Sequence, residues 1–257
     1  QYFKGIRSQI ITFSEARTVI DAMREFKHAY DNISADSGID TLGCNGRLKA
    51  YYSDEFLKRL NHNTAENSTL SNFLPSNKDV TVLQDMFISS NPNPVGKKHR
   101  LTKNIDNSKY GKAHEVYHPI IRNYLEQFGY YDIFLVDEAS GNIIYSVFKE
   151  VDFGTSLLSG PFKNSNLAKV FKAAKGSDIK DFVALVDFEP YMPSYNAHAS
   201  FIASPIFDGE KKIGVLVFQM PIDRINAIMT NYHEWREVGL GESGETYIAR
   251  DRKSTRL

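Results

Sequence analysis

Residues 129–150, GYYDIFLVDEASGNIIYSVFKE, decide the fold. Tyr131, Ile133 and Leu135 alternate with Asp132, Phe134 and Val136, a strand pattern with an almost wholly apolar middle. Asp137 to Asn142 form a polar break containing Gly141, the residue type that accepts positive φ without steric penalty. Ile143, Ile144, Tyr145, Val147 and Phe148 then resume the β-branched and aromatic enrichment. Two such runs joined by a short glycine-containing connection read as a β-hairpin. It is a seam: the chain before it has helical periodicity, and most of the chain after it has strand character.

Downstream, Ser165–Ala174 is a short helical stretch. Phe182–Phe188, Ala199–Phe207 and Ile213–Met220 are three further strands, the last two joined by a turn at 208–212. Five strands with short connections favour an antiparallel sheet and an α+β fold. Ile222–Tyr232 has the pattern of a closing helix, and Glu245–Ala249 begins another strand after a glycine-rich link at 239–244.

Upstream, the apolar residues Ile6, Ile10, Phe13, Ala16, Ile20, Met23, Phe26, Tyr30 and Ile33 recur in steps of three and four. That spacing predicts one long amphipathic helix. It either lies along its own domain or serves as a stalk that pairs with a second copy. Residues 34–46 read as a loop, Leu48–Leu60 as a second helix and residues 61–76 as another loop. Val80–Ile88 reads as a short helix with Ser76 as its cap, and Pro119–Phe128 as a helix with proline in its first turn and Gly129 at its end. The basic run Lys97-Lys98-His99-Arg100 reads as a solvated loop face.

Composition narrows the function classes. Lys plus Arg and Asp plus Glu are both 31, so no net field draws the chain to nucleic acid. Cys44 is the single cysteine, which excludes an internal disulfide and a cysteine-rich metal site. No run of about 18 apolar residues exists to span a bilayer. The chain begins with Gln1, which fits a segment of a longer protein with membrane helices on both sides.

Two short motifs invite enzymatic readings and neither is supported by its context. His114-Glu115-Val116-Tyr117-His118 has the HExxH spacing of zinc hydrolases, but Pro119 biases His118 out of the α region that the motif requires. A surface or capping role is therefore expected for these histidines. Gly239-Leu240-Gly241-Glu242-Ser243-Gly244 has GxGxxG spacing, but follows a helical pattern and precedes a strand, the reverse of a dinucleotide site. No nucleophile constellation is present, and neither a metal nor another cofactor is expected. The stretch 187–196, DFEPYMPSYN, reads as a proline-stiffened excursion between strands. It is either a surface loop or the mouth of a small-molecule pocket.

Several blocks together, FGYYDIFLVDEASGNIIYSVFKEVDFGTSL, GPFKNSNLA, DFEPYMPSYNAHASFIASPIFDG and GVLVFQMPIDRINAIM, resemble the extracytoplasmic double-Cache sensor domains of bacterial chemoreceptors, sensor histidine kinases and HAMP-containing nucleotide cyclases. GLGESGETYIARD is similar to the opening of the second, membrane-proximal module. The resemblance implies a stalk and second helix at 1–60, a helical region at 61–128 and a PAS-like membrane-distal module at 129–232. A linker with the first strand of a proximal module comes next at 233–250, and residues 251–257 read as a non-native tail. It implies a non-catalytic periplasmic sensor, anchored in the inner membrane by flanking helices and dimeric through the N-terminal helix. Its small-molecule ligand is unidentified, and the Arg-Trp-Tyr run of amino-acid-binding relatives is absent. The implied cup is lined by Tyr145, Ser146 and Phe148 from the hairpin and by Asp187, Tyr191, Ser194 and Tyr195 from the excursion.

Overall fold

A computed structural model describes residues 2–36, 40–64, 67–103, 108–221 and 227. The chain divides into two compact units, Gln1–Met220 and Pro221–Leu257, and the first holds every strand and helix described below. The elements expected at 222–232, 239–244 and 245–249, and the tail at 251–257, lie outside the described residues, Ala227 alone excepted.

The hairpin forms as its sequence predicts. Strand β1 (Asp132–Asp137) pairs antiparallel with β2 (Ile143–Ser146), and Gly141 takes φ 68° in the connection. A Cβ on Gly141 would stand 2.7 Å from Leu158 Cγ, so both backbone conformation and space require glycine there. β3 (Ala184–Tyr191), β4 (Ala197–Asp208) and β5 (Lys211–Gln219) complete a five-stranded antiparallel sheet in the order β2-β1-β5-β4-β3. The first hairpin therefore lies beside the last strand. The outer edge of β2 is covered by residues 154–157, whose backbone bonds to Ile143 and Gly141.

Paired residues across neighbouring strands share a face, so the register sorts the side chains. Ile133, Leu135, Tyr145, Leu216, Phe218 and Ile202 face one side. Asp132, Phe134, Ser146, Val217, Gln219 and Phe201 face the other. The first side is covered by helices α1 (Tyr2–Ser14), α2 (Arg17–Tyr30) and α7 (Lys109–Phe128). Phe13 stacks on Tyr124 and reaches Phe218, while Phe26 stacks on Tyr145 at 4.7 Å. Gly214 admits α2 to close range: a Cβ there would meet the Val136 carbonyl at 2.9 Å and Met23 Sδ at 2.6 Å.

The single long helix expected at 6–33 is instead two, because the chain opens at Glu15–Ala16, where Ala16 is extended (ψ 132°). Ser14 Oγ donates to the Ile11 carbonyl and meets Ser204 Oγ at 3.3 Å, which ties the break to β4. A short helix, α3 (Ile33–Asp36), comes after α2. The apolar stripe lies along its own sheet, with Ile6, Ile10, Phe13, Met23 and Phe26 buried there.

The loop expected at 34–46 is corrected by α4 (Thr41–Tyr51), which Asp40 caps through the amides of Leu42 and Gly43 and which runs through Gly43 and Gly46. The second expected helix, 48–60, is α4 continued by a wide π turn (Tyr52–Phe56) into α5 (Leu57–Asn63). α6 (Lys78–Gln84) is capped by Asn77, not Ser76, and also widens into a π turn at Asp85–Ser89. α7 starts ten residues before Pro119, which sits in its interior. One buried flank (Tyr110, His114, Tyr117, His118, Ile121 and Leu125) overrides the local bias against helix at His118. Gly129 (φ 70°) ends it in the left-handed conformation expected of a C′ glycine.

On the second side of the sheet, α8 (Asn166–Lys175) crosses β3 and β4, capped by Ser165. The first half of the excursion expected at 187–196 is strand: Pro190 and Tyr191 pair with His198 and Ala197 on the edge of the sheet, where a missing N–H is tolerated. The ladder is irregular between Val186 and Glu189, and the chain leaves it after Tyr191 in one 3-10 turn, Met192–Ser194, closed by left-handed Tyr195 and Asn196. Between β2 and α8 the chain has no strand or helix, and side chains from the helical layer satisfy its backbone. Gln84 Nε2 donates to the Val151 and Phe153 carbonyls at 2.9 and 2.6 Å, and Tyr30 donates to Gly154 at 2.7 Å. A second apolar cluster (Leu48, Tyr52, Phe56, Leu60, Phe73, Val151, Phe162) fastens this segment beneath α4 and α5.

Candidate functional site

The second side of the sheet ends in charge. Asp132 opens β1 and Gln219 closes β5, and the two are paired across the ladder. Both are buried, at 0% and 3% exposure, in a row whose third member is Phe201. Beyond β2, the segment Lys149-Glu150-Val151-Asp152 passes over them, with Val151 anchored in the second apolar cluster. The turn after β3 adds Tyr191 and Ser194. Each element thus brings one to three polar groups to the same buried region.

Two anchors hold the cluster. Asp132 accepts from the amides of Ile133, Val147 and Phe148 at 2.6–3.1 Å and from Ser146 Oγ at 3.0 Å, which fixes the turn out of β2. Tyr191 donates to Asp152 Oδ2 at 2.5 Å while its ring packs edge-on against Phe201 at 5.0 Å. A relay continues along the rim: Gln219 Nε2 donates to Ser194 Oγ at 3.4 Å, and Ser194 donates to Glu150 Oε2 at 2.7 Å. Tyr131 reaches the other oxygen, Glu150 Oε1, at 3.1 Å. Asp152 Oδ1 and Gln219 Oε1 are buried without a well-formed hydrogen bond, although the Asp152 and Phe153 amides lie close enough to the Asp152 carboxyl to favour its charged form. A buried acceptor left unpaired costs about 1–3 kcal/mol, so the cluster is a store of unfavourable energy in the free chain.

Charge is equally unbalanced. Burial pushes the Asp132 carboxyl up, with the nearby Asp152 charge adding to it. Burial and the Asp152 charge push Glu150 up, against the hydrogen bonds from Ser194 and Tyr131. Burial raises Asp152 to about 6. Lys149 is the buried cation beside them, held down by burial. Its Nζ donates to the Ser146 carbonyl and lies over the rings of Tyr145 (4.5 Å) and Phe153 (5.4 Å). Lys149 takes φ 61°, an uncommon left-handed conformation for a non-glycine residue, at the sharp turn that presents Glu150 and Asp152.

The residues expected to line a cup divide. Tyr191 and Ser194 are in the cluster, and Ser146 borders it through Asp132. Tyr145 turns to the opposite side of the sheet, where its hydroxyl donates to His118 Nδ1 at 2.7 Å. Phe148 lies past the end of β2, stacked between Tyr131 and His99 at 5.0 and 4.6 Å. Asp187 is exposed on β3 and its carboxylate accepts from the adjacent Phe188 amide. Tyr195 covers Phe56 at the rim. Sequence reasoning missed Asp132, Lys149, Glu150, Asp152 and Gln219. The available signal was charge interleaved with buried apolar residues, as in Lys149-Glu150-Val151-Asp152-Phe153.

The HEVYH histidines are buried, not on the surface or at a cap. His118 is the neutral Nε2–H tautomer, donating to the His99 carbonyl at 2.6 Å and accepting from Tyr145, and His114 Nδ1 donates to the Thr102 carbonyl at 2.9 Å. Burial, then the charge of Lys149, lowers both well below the ordinary histidine range. Glu115 points outward to Lys103. Among the described residues, no three His, Cys, Asp or Glu side chains are placed to hold a metal ion. The basic run is likewise only partly solvated, since Lys98 is buried with Nζ donating to the Asn91 carbonyl at 2.8 Å.

No protein-family profile matches the chain, and a search of curated proteins finds no match. No described helix is long and apolar enough to cross a membrane.

Proposed function

We propose that this chain is the ligand-sensing region of a bacterial transmembrane receptor, held outside the cytoplasm and binding a small molecule at the Asp132–Glu150–Asp152–Gln219 cluster. One observation carries the reading. A polar cluster with two poorly paired buried acceptors is enclosed between a sheet and a helical layer, in a region that otherwise pairs its polar groups. Groups of that kind weaken a fold and strengthen a binding site. The several blocks of resemblance to double-Cache sensors support the receptor context, and the α+β fold with a five-stranded antiparallel sheet agrees with them.

A ligand at the cluster joins the sheet to the segment 149–152 and, through Gln84 and Tyr52, to the helices above it. It shifts the helices only as far as its affinity for two arrangements differs. A dimer through the N-terminal helices uses the outer face of α1, where Phe3 is half exposed, because the stripe is already buried on the sheet. A thermal-shift screen against small metabolites tests the binding claim. Saturation at about 100 times Kd stabilises by about 2.7 kcal/mol, a rise of several degrees for a domain of this size. A flat response to every compound would leave only a dimerisation role.

A further inference from the structure

We propose that the turn Lys149–Phe153 is a proton-operated latch, docked on the sheet while Glu150 and Asp152 hold protons and released from it when both are ionised. Such a latch regulates the site of the sensor reading and rests on that reading for its purpose, not for its existence.

The turn is attached on two sides by different means. Toward the helices its backbone is held. Gln84 Nε2 donates to the Val151 and Phe153 carbonyls, Tyr52 donates to the Val151 carbonyl at 3.3 Å, and the Val151 side chain sits in the second apolar cluster. None of these contacts uses a carboxyl group. Toward the sheet the attachment is made by carboxyl groups: Tyr191 donates to Asp152 at 2.5 Å and Ser194 to Glu150 at 2.7 Å. Lys149 opens the turn at φ 61°, so backbone strain is stored where the chain enters it.

Protons decide the sheet side because negative charge there lacks a counterweight. Glu150 faces Asp152 and Asp132, with Tyr131 from β1, Ser194 and Tyr195 from the turn after β3, and Tyr51 from α4. Asp152 faces Asp132, Tyr191 from β3 and Tyr52 from the helical layer. Gln219 closes the rim from β5 through Ser194. Burial raises each of these tyrosines, so they stay neutral. Among the described cations, Lys149 is set against Asp132, while Lys98 and Arg59 lie over the Tyr51 and Tyr195 rings and bond to the Asn91 carbonyl and Glu55. One buried cation therefore stands against three carboxyl groups. With Glu150 and Asp152 both ionised, the docked turn buries uncompensated charge, which a chain relieves by neutralising the group or moving it to water. Protonation also supplies a donor to a region whose oxygens, Asp152 Oδ1 and Gln219 Oε1, are short of one.

The sign follows from burial. Asp152 is raised from 3.8 to about 6, so docking is strongest below about pH 4 and weakens as pH rises through about 6. Glu150, also raised, acts in the same direction. From about pH 5 to pH 8, Asp152 alone shifts the docked-to-released ratio by about tenfold, and Glu150 adds to it.

Hydrogen exchange of the full chain, corrected for its intrinsic pH dependence, reads the latch without any ligand. The amides of Phe148 and Lys149, bonded to Asp132 and Ser146 Oγ, and that of Gly154, bonded to the Ile143 carbonyl, report docking. Those of the β4–β5 ladder report the whole fold. The first set is expected to lose about tenfold or more of its protection between the two pH values while the ladder keeps its own. In Glu150→Gln and in Asp152→Asn that loss is expected to shrink. Should Asp152→Asn fail to fold, Glu150→Gln carries the comparison. A loss that is absent, that is matched by the ladder, or that is unchanged in the variants overturns the latch. The sensor reading fails separately, when a metabolite screen stays flat at both pH values.

Discussion

The two sides of one sheet are built to different rules. On the side of α1, α2 and α7, the strands present Ile133, Leu135, Leu216, Phe218 and Ile202 to aromatic rings, and the fold gains from each contact. On the other, the same strands begin with Asp132 and end with Gln219, beneath a strained turn carrying Lys149, Glu150 and Asp152. Removing atoms from the first side should always cost stability. Removing the poorly paired or crowded polar groups of the second, Asp152 and Gln219, should cost little or even help, because such buried oxygens weaken the free chain, whereas Asp132 is needed by the amides it accepts from. The contrast separates residues kept for packing from residues kept for something that enters the fold.

The largest expected effect is on the packed side. Phe26→Ala removes a ring that stacks on Tyr145 and adjoins Tyr110 and Tyr117, and should destabilise by about 3–5 kcal/mol in urea titration. A loss below about 1 kcal/mol would remove that side's claim to be the core. Gln84→Ala comes next. It leaves the Val151 and Phe153 carbonyls and the Tyr52 hydroxyl without their main partner, and should cost about 2–4 kcal/mol.

The polar side reverses the sign. Burial raises the Asp152 carboxyl from its ordinary 3.8 to about 6. The stability that its proton confers is complete below about pH 4 and is lost as pH rises through about 6. Asp152→Asn carries no such penalty, so its stability should gain on wild type between about pH 4 and pH 7, by about 1–3 kcal/mol. Denaturant titrations at the two pH values decide it, and a gain that is the same at both would show that the carboxyl is not the cause. The smallest effect belongs to the surface. Lys169 and Glu189 pair at 2.8 Å with both side chains about half exposed, and Lys169→Ala should change stability by less than about 1 kcal/mol.

How much of this was legible depends on where each signal is written. The hairpin, β4, β5 and α8 could be read because their periodicity and their turn or capping residues, Gly141, Gly209 and Ser165, agree. The start of α7 could not, because Pro119 argues locally for a boundary that the packing of Tyr110, His114 and Tyr117 overrides. The break at Ala16 and the two π turns leave no mark in apolar spacing. Two of the five missed residues were hidden for a single reason. In a sheet covered on both sides, alternation no longer distinguishes inside from outside, so Asp132 and Gln219 look like ordinary solvent-facing strand positions. The flanking prolines mark Tyr191 and Ser194, which the structure brings into the cluster, while Asp187 stays outside it, exposed on a β3 that continues through Pro190.

The most direct test is the thermal stability of Gln219→Leu beside wild type, with and without the most stabilising compound of the metabolite screen. If the polar cluster is kept for a ligand, the free variant melts at or above the wild-type temperature and the rise caused by that compound shrinks or disappears. A free variant that melts several degrees lower, with the response to the compound intact, would show that Gln219 serves the fold and that the cluster is not a ligand site.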